Sequence, residues 1–344
     1  MKARISIIFI STVLISSIAT AQYQVDLSGD GKGDSGFQAK WDPARENLVV
    51  FRNVSSSDLP SARIFQSNGQ STPIFILRDF RGASFADIWA SALTPDGGAV
   101  FSVVLGFGER PTPKTISSKP VPEAKVLLLS YGADGALKKL WNVAPYLHQA
   151  LAVDGLGNVY ALGTRDAGPE GFPMLIKYSK SGDVLGEFFP SKIFANGGKA
   201  LDPSSLNGNT ALFVRNGQLA LWVPSTREVF KLSLKGELQR KIAIGPLIDR
   251  LAVQNGVAKA TIAGLTLTNS GGFSVQLRLW PSTASPAGMM IAVAEISADG
   301  SEANMVAKPT AVATLRQQFL GVSDDGRRVV LEHDGKGKAV IRKE

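Results

Sequence analysis

The sequence predicts an all-β fold, a six-bladed β-propeller of four-stranded antiparallel blades, with the ring closed by an N-terminal strand joining the C-terminal blade. Three observations lead there. One hairpin signature, an alternating apolar strand, a turn of Asp/Asn-Gly character and a second strand, recurs along the 344 residues. Its copies fall into two families that alternate at a near-constant interval, so each repeat is a pair of hairpins, the mark of stacked units that cannot bury their faces singly. Long apolar runs of helical period are absent, which argues against a parallel α/β fold.

The first element is the segment MKARISIIFISTVLISSIATAQ. Lys2 and Arg4 form a charged head, residues 5–18 an apolar stretch, and Ala19-Thr20-Ala21 a small-residue cleavage site. Residues 1–21 are therefore expected to be a signal peptide, and residues 22–344 a single propeller domain. The apolar stretch is about 14 residues, shorter than the roughly 20 that cross a bilayer, so the mature chain should not span the membrane. A periplasmic or secreted bacterial location follows. The chain has no cysteine, which excludes thiolate metal sites and Cys nucleophiles and leaves burial and backbone pairing to hold an exported domain together. The formal charge of +8 loses two units with Lys2 and Arg4. The remaining Lys and Arg are scattered, and in the tail RRVVLEHDGKGKAVIRKE they alternate with apolar residues as on a solvated strand face. Nucleic acid is not an expected partner; the expected one is a protein or small molecule of the cell envelope, met by a monomer.

The first hairpin family reads AKWDPARENLVVF, SALTPDGGAVFSVV, LAVDGLGNVYALG, ALFVRNGQLALW, RLAVQNGVAKATIAG and LGVSDDGRRVVLEH. The second reads RIFQSNGQSTPIFIL, VLLLSYGADGALKKLW, LIKYSKSGDVLGEFF, VFKLSLKGELQRKIAI and IAVAEISADGSEANMVA. The last repeat stops at KAVIRKE, its third strand, which would leave an open edge. YQVDLS, at the start of the mature chain, is expected to supply the missing outer strand. The alternative is a seventh blade in residues 264–288, where FSVQLRLW also reads as a strand.

LHQALAVDGLGNVYALGTR followed by MLIKYSKSGDVLGEFF resembles the repeat of NHL-repeat and TolB-like six-bladed propellers, in which an apolar strand meets an Asp-x-x-Gly-Asn turn and then an aromatic-bearing strand. The resemblance implies the fold and hardly constrains the activity, because propellers host binding proteins, scaffolds and enzymes. Lactonases and related hydrolases on such propellers are similar in architecture; that likeness implies a central divalent ion held by acidic and amide side chains, with Asp87, Asp249 and Asn207 available for the role. No Glu begins an inner strand.

Function is expected at the face where the inner strands begin. The loops between second and third strands share that face, and three are long: residues 106–124, 165–173 and 264–288. Counting back from each first-family turn puts Gln38, Asp87, His148, Asp249 with Arg250, and Gln317 at inner-strand starts, as a polar ring around the channel mouth that could hold a ligand. A lone His such as His148 is more often structural than metal-ligating; His333 reads as loop chemistry. No serine sits in a G-x-S-x-G context, so a catalytic triad is not indicated. In DLSGDGKGD, Asp26, Ser28, Asp30 and Asp34 take positions one, three, five and nine of a calcium-type loop, with Gly31 at position six. Phe37 stands where the bidentate acid belongs, so any Ca²⁺ or other divalent cation should be held weakly. The tryptophans Trp41, Trp89, Trp141, Trp222 and Trp280 are expected in the core. The functional expectation is a ligand- or protein-binding module at the channel mouth; the alternative is a metal-dependent, lactonase-like hydrolase or lyase in the channel.

Overall fold

The computed structural model describes residues 23–26, 38–42, 45–108, 123–165, 172–190, 210–281, 289–311, 317–323, 327–333 and 338–343. Strand β1 (Tyr23–Asp26) comes first in the chain and belongs to the last blade. Blade one is β2 (Gln38–Asp42), β3 (Asn47–Phe51), β4 (Ala62–Phe65) and β5 (Ser71–Ile74). A one-turn helix, α1 (Ile76–Asp79), leads to blade two: β6 (Phe85–Leu93), β7 (Ala99–Phe107), β8 (Glu123–Tyr131) and β9 (Leu137–Asn142). Blade three is β10 (Tyr146–Val153), β11 (Val159–Arg165), β12 (Pro173–Tyr178) and β13 (Val184–Pro190). Blade four is β14 (Ala211–Arg215), β15 (Gln218–Val223), β16 (Glu228–Ser233) and β17 (Leu238–Ala243). Helix α2 (Ile244–Gln254) then precedes blade five: β18 (Lys259–Leu267), β19 (Phe273–Trp280), β20 (Met290–Ile296) and β21 (Ala303–Ala311). Blade six is β22 (Gln317–Val322), β23 (Arg328–His333) and β24 (Lys338–Lys343), with β1 as its outer strand.

The six sheets are each four strands in up-and-down order, and all pairings are antiparallel. Neighbouring inner strands touch around the whole circle, including β22 against β2, so the ring is closed. Closure is made as expected: β1 pairs with β24 from Tyr23 opposite Ile341 to Asp26 opposite Lys338.

One hairpin is corrected. RLAVQNGVAKATIAG is not a pair of strands but the end of α2 followed by the inner strand β18, and FSVQLRLW is the second strand of blade five rather than the trace of a seventh blade. The Asn-Gly dipeptide misled because two structures want it. At residues 216–217 both members have positive φ, 50° and 73°, and join β14 to β15 in a tight hairpin. At residues 255–256 Asn255 caps α2 and Gly256 alone is left-handed, φ 65°, as helix ends require.

The core is not central but layered between blades. Successive strand residues point to opposite faces, so in β11 Val159 and Ala161 pack with blade two, while Tyr160 and Leu162 pack with blade four. Five buried clusters fill five of the seams in this way, and each draws its members from two adjacent blades. A strand apolar on both faces has no stable position outside the stack.

Two further devices tie neighbouring blades together at several of the seams. The turns between third and fourth strands carry left-handed glycines, Gly182, Gly236 and Gly300, with φ of 99°, 83° and 71°. The outer strand of the preceding blade lays a large side chain on each: Trp141 on Gly182, Phe188 on Gly236, Ile242 on Gly300. A Cβ at any of them would overlap that side chain. Trp141 also donates its indole N–H to the Ser181 carbonyl at 2.9 Å. The second device is a lysine near the end of a third strand that reaches the turns of the following blade. Lys231 of β16 donates to the carbonyls of Gly271 and Ala298, at 2.7 and 2.8 Å. Lys177 of β12 donates to the Leu234 carbonyl at 3.3 Å. Lys343 of β24, buried, pairs with Glu46 of blade one at 2.5 Å across the closing seam. Burial, more than the nearby Arg240, lowers the Lys231 pKa, and its two carbonyl acceptors compensate the desolvated ammonium.

Two outcomes follow for stability. Gly182→Ala combines left-handed strain with overlap on Trp141 and should cost well over 2 kcal/mol, whereas Gly217→Ala, with open space around its Cβ position, should cost only the backbone strain of about 1 kcal/mol. Urea unfolding of the two variants checks the difference. Lys231→Met should cost about 1–3 kcal/mol because two carbonyls in the seam lose their donor; equal stability of variant and wild type would show that the lysine is not a tie.

Candidate functional site

In an antiparallel blade the inner strand starts on the same face as the loop between second and third strands and the connection arriving from the previous blade. Gln38 opens β2 and is exposed, Asp87 is third in β6, His148 third in β10, and Gln317 opens β22, so these four stand where the turn counting puts them. Asp249 and Arg250 do not. They lie on the exposed side of α2, and the residue that opens the fifth inner strand is Lys259. Asp26 ends β1, while Ser28, Asp30, Asp34 and Asn207 lie outside the described residues; His333 ends β23. Among the described residues no three His, Asp or Glu side chains gather as metal ligands would.

His148 is placed inside the wall rather than at the mouth. It is fully buried, on the side of blade three that packs against blade two. The ring stacks on Tyr146 at 6.0 Å and meets Tyr178 edge-on, and Nε2 lies 3.1 Å from the Tyr178 hydroxyl. Register explains how they meet: His148 pairs with Gly163 and Tyr178 with Val159, and between them on that face β11 carries only Ala161 and Gly163, too small to part them. Burial holds the His148 pKa down at about 3, so the imidazole is neutral in the folded chain.

The inner strands carry a second repeated feature. β6, β10, β18 and β22 each have a bulge near mid-strand, at Trp89, Gln149, Ala263 and Leu320. The bulged residue is unpaired and re-aimed. Trp89 is thus 44% exposed instead of buried, whereas Trp141 and Trp222 lie in the seams as expected.

A cavity of about 540 Å³ opens between blades four and five, beside α2. Its volume is in the range of small-molecule sites. The lining comes from four places: Trp222 near the end of β15, the turn 224–227, the first half of β18, and the side of α2 that carries Asp249, Ala252 and Val253. The helix is held by spacing. Leu247, Ile248, Leu251 and Ala252 recur at helical intervals and are buried in the seam, which leaves Asp249 and Val253 outward. Arg227, with φ 54°, anchors the start of the helix: its carbonyl accepts from the N–H groups of Ile244 and Gly245 at 3.1 and 3.0 Å. Its guanidinium grips Asp249 with two hydrogen bonds, 3.0 and 2.7 Å, and also reaches the Gly245 carbonyl at 3.3 Å. Both partners are roughly half exposed, so the pair serves geometry more than stability.

Of the residues predicted for the mouth, this cavity gathers Asp249 alone. Arg227, Lys259 and Thr261 were not anticipated. The turn residues Thr268 to Gly272 in LTNSGGF were the available signal, because counting back from that turn reaches residues 259–262. No protein-family model and no curated protein matches the chain. Among solved structures, it is similar to a member of the DUF4221 family from Bacteroides vulgatus, at 10% identity over 95% of this chain and 96% of that one, TM-score 0.48. It is also similar to a gluconolactonase from Xanthomonas campestris, at 13% identity over 93% and 89%, TM-score 0.46, and to the Dos1 propeller, at 10% over 93% and 94%, TM-score 0.44. At such scores and identities these likenesses carry no argument about activity.

The buried His148 has a measurable consequence. The unfolded chain takes up a proton there below its ordinary pKa of 6.5, and the folded chain does not until about 3. Its contribution is therefore complete above 6.5 and is lost as pH falls toward 3. Between pH 7 and 5 the loss should be about 2 kcal/mol. Denaturant unfolding of His148→Leu should lack that share of the pH dependence whatever its stability at pH 7; an unchanged slope would place the imidazole in contact with solvent.

Proposed function

We propose that this chain is an exported ligand-binding propeller whose site is the cavity between blades four and five, on the face where the inner strands begin. One observation carries the reading: about 540 Å³ of partly apolar space between two blades and beside a helix, with a few polar groups in its lining. Export rests on the pattern of residues 1–21, and it places the ligand among small molecules of the envelope or the medium. The hydrolase alternative draws on Asp249 as a metal ligand. That carboxylate lies on α2, with both oxygens engaged by Arg227, which favours binding over channel chemistry.

Ala260 lines the cavity, is partly exposed, and lies on the face of β18 that packs against blade four, so Ala260→Trp should fill the space and leave the fold intact. A ligand at about 100 times its Kd adds about 2.7 kcal/mol, enough to raise Tm by several degrees. Thermal unfolding of both proteins against a panel of small metabolites should yield compounds that protect the wild type and not the variant. If no compound separates them, this cavity is not the site; lactone turnover that requires an added divalent cation and survives Ala260→Trp would favour the hydrolase instead.

A further inference from the structure

Where the fold draws a lysine into the protein, it supplies an acceptor: Lys231 meets the carbonyls of Gly271 and Ala298, and Lys343 meets Glu46. Lys40 is different. It is the third residue of the inner strand β2 and is partly buried, and burial lowers its pKa. Among the described residues its ammonium has neither a carboxylate nor a carbonyl partner. Asp42, two residues on along the same strand, is engaged by Arg45 at 2.8 Å.

Strand parity fixes which seam Lys40 belongs to. Ala39 and Trp41 pack in the seam with blade six, so Lys40, opposite Val49, lies on the face turned to blade two, as Val49 does. Asn47 is on that same face of β3, on the diagonal from Lys40 that long side chains span. It is buried, its amide makes no hydrogen bond among the described residues, and the amide nitrogen lies 3.9 Å from the Cβ position of Gly97 in the first turn of blade two. Across the seam stands Ser91. It pairs with Phe101 and is turned to blade one, since Ala90 and Ala92 pack with blade three. Its hydroxyl is buried without a hydrogen-bond partner. Lys40 and Ser91 each sit in the third residue pair counted from the turn of their own blade, on inner strands that touch. They therefore stand at one level, at the edge of the seam that borders the central channel.

A charge and two polar groups without partners in a packed seam are costly, and the set selects what would satisfy them. A cation would be repelled by Lys40. An apolar neutral molecule would leave all three groups unpaired, and water would leave the charge uncancelled. An oxoanion accepts from the ammonium, the Asn47 amide and the Ser91 hydroxyl together and cancels the charge as well. Val49, Phe51 and Phe101 fill the seam behind these groups, so the anion must be small. We propose that the channel edge of the seam between blades one and two is a site for small oxoanions of phosphate or carboxylate size, with Lys40 as the counter-charge and Asn47 and Ser91 as directional donors. This site is separate from the cavity between blades four and five and does not rest on the reading of that cavity.

The test is calorimetric titration of the full chain at pH 7 with inorganic phosphate and with acetate, in a chloride background of constant ionic strength. At least one of them should bind saturably at one site per chain; the tighter of the two tells whether a phosphate or a carboxylate is the preferred form. Lys40→Met should weaken that binding at least tenfold. Ser91→Ala should weaken it severalfold without lowering the urea midpoint measured in the absence of the anion, because the hydroxyl it removes has no partner in the fold. Unfolding of Lys40→Met supplies a second readout: without the anion the variant should be at least as stable as the wild type, and with the anion in excess the order should reverse. Failure of both anions to bind, or binding indifferent to Lys40→Met, overturns the proposal. So does a wild type more stable than Lys40→Met without any anion, since the ammonium would then have its partner within the fold.

Discussion

Packing between blades is the constraint from which the rest of this structure follows. Each blade presents two apolar faces, because alternate residues of strands such as β7 and β11 point to opposite neighbours. One blade alone would leave both faces in water, and an open stack would leave two. Only a closed ring removes the last pair, which is why β1 is recruited across the chain to complete blade six and why Lys343 and Glu46 meet at the joint. The polar edge of β24 is covered by the same stroke.

The seam between blades four and five shows how such a stack makes room for a ligand without loosening. At one end Ile242 lies on Gly300 and Lys231 clamps the carbonyls of Gly271 and Ala298. In the middle, Val229, Phe273, Val275 and Leu277 fill the seam completely. At the other end the connection is α2, and the cavity lies beside it. The helix pays for its place by burying Leu247, Ile248 and Leu251 in the same core. Rigidity at one end and space at the other are thus properties of one interface, and a site built on strands and a packed helix keeps its geometry better than one on loops alone.

Strand positions were legible in the sequence because the code for them is local. Asp154 illustrates it: one carboxylate oxygen accepts from the N–H groups of Leu156 and Asn158, and the other from the Asn158 amide, while Gly157 takes φ 86°, so the residues Asp-x-x-Gly-Asn make the turn by themselves. The candidate site was mostly illegible for the opposite reason. Its members converge only through a long connection that was read as a hairpin, since Asn-Gly serves a helix end as well as a turn. Leu247, Ile248, Leu251 and Ala252 did carry a helical period, but over eleven residues that signal competes poorly with a repeat already seen five times. His148 stood at the right height on its strand and still faced the core, because which side of an inner strand a residue takes depends on the bulge at Gln149, and a bulge has no clear signature in sequence.

Two lysines of neighbouring blades show why residue type alone says so little about role. Lys231 is buried, and its ammonium donates to two carbonyls of blade five. Lys259 is exposed at the start of β18, and its ammonium lies over the Trp280 ring on the face turned to blade six. The difference arises from strand position: a third strand ends among the turns of the next blade, where carbonyls converge, whereas an inner strand begins at the open face, where the backbone partners lie to one side only.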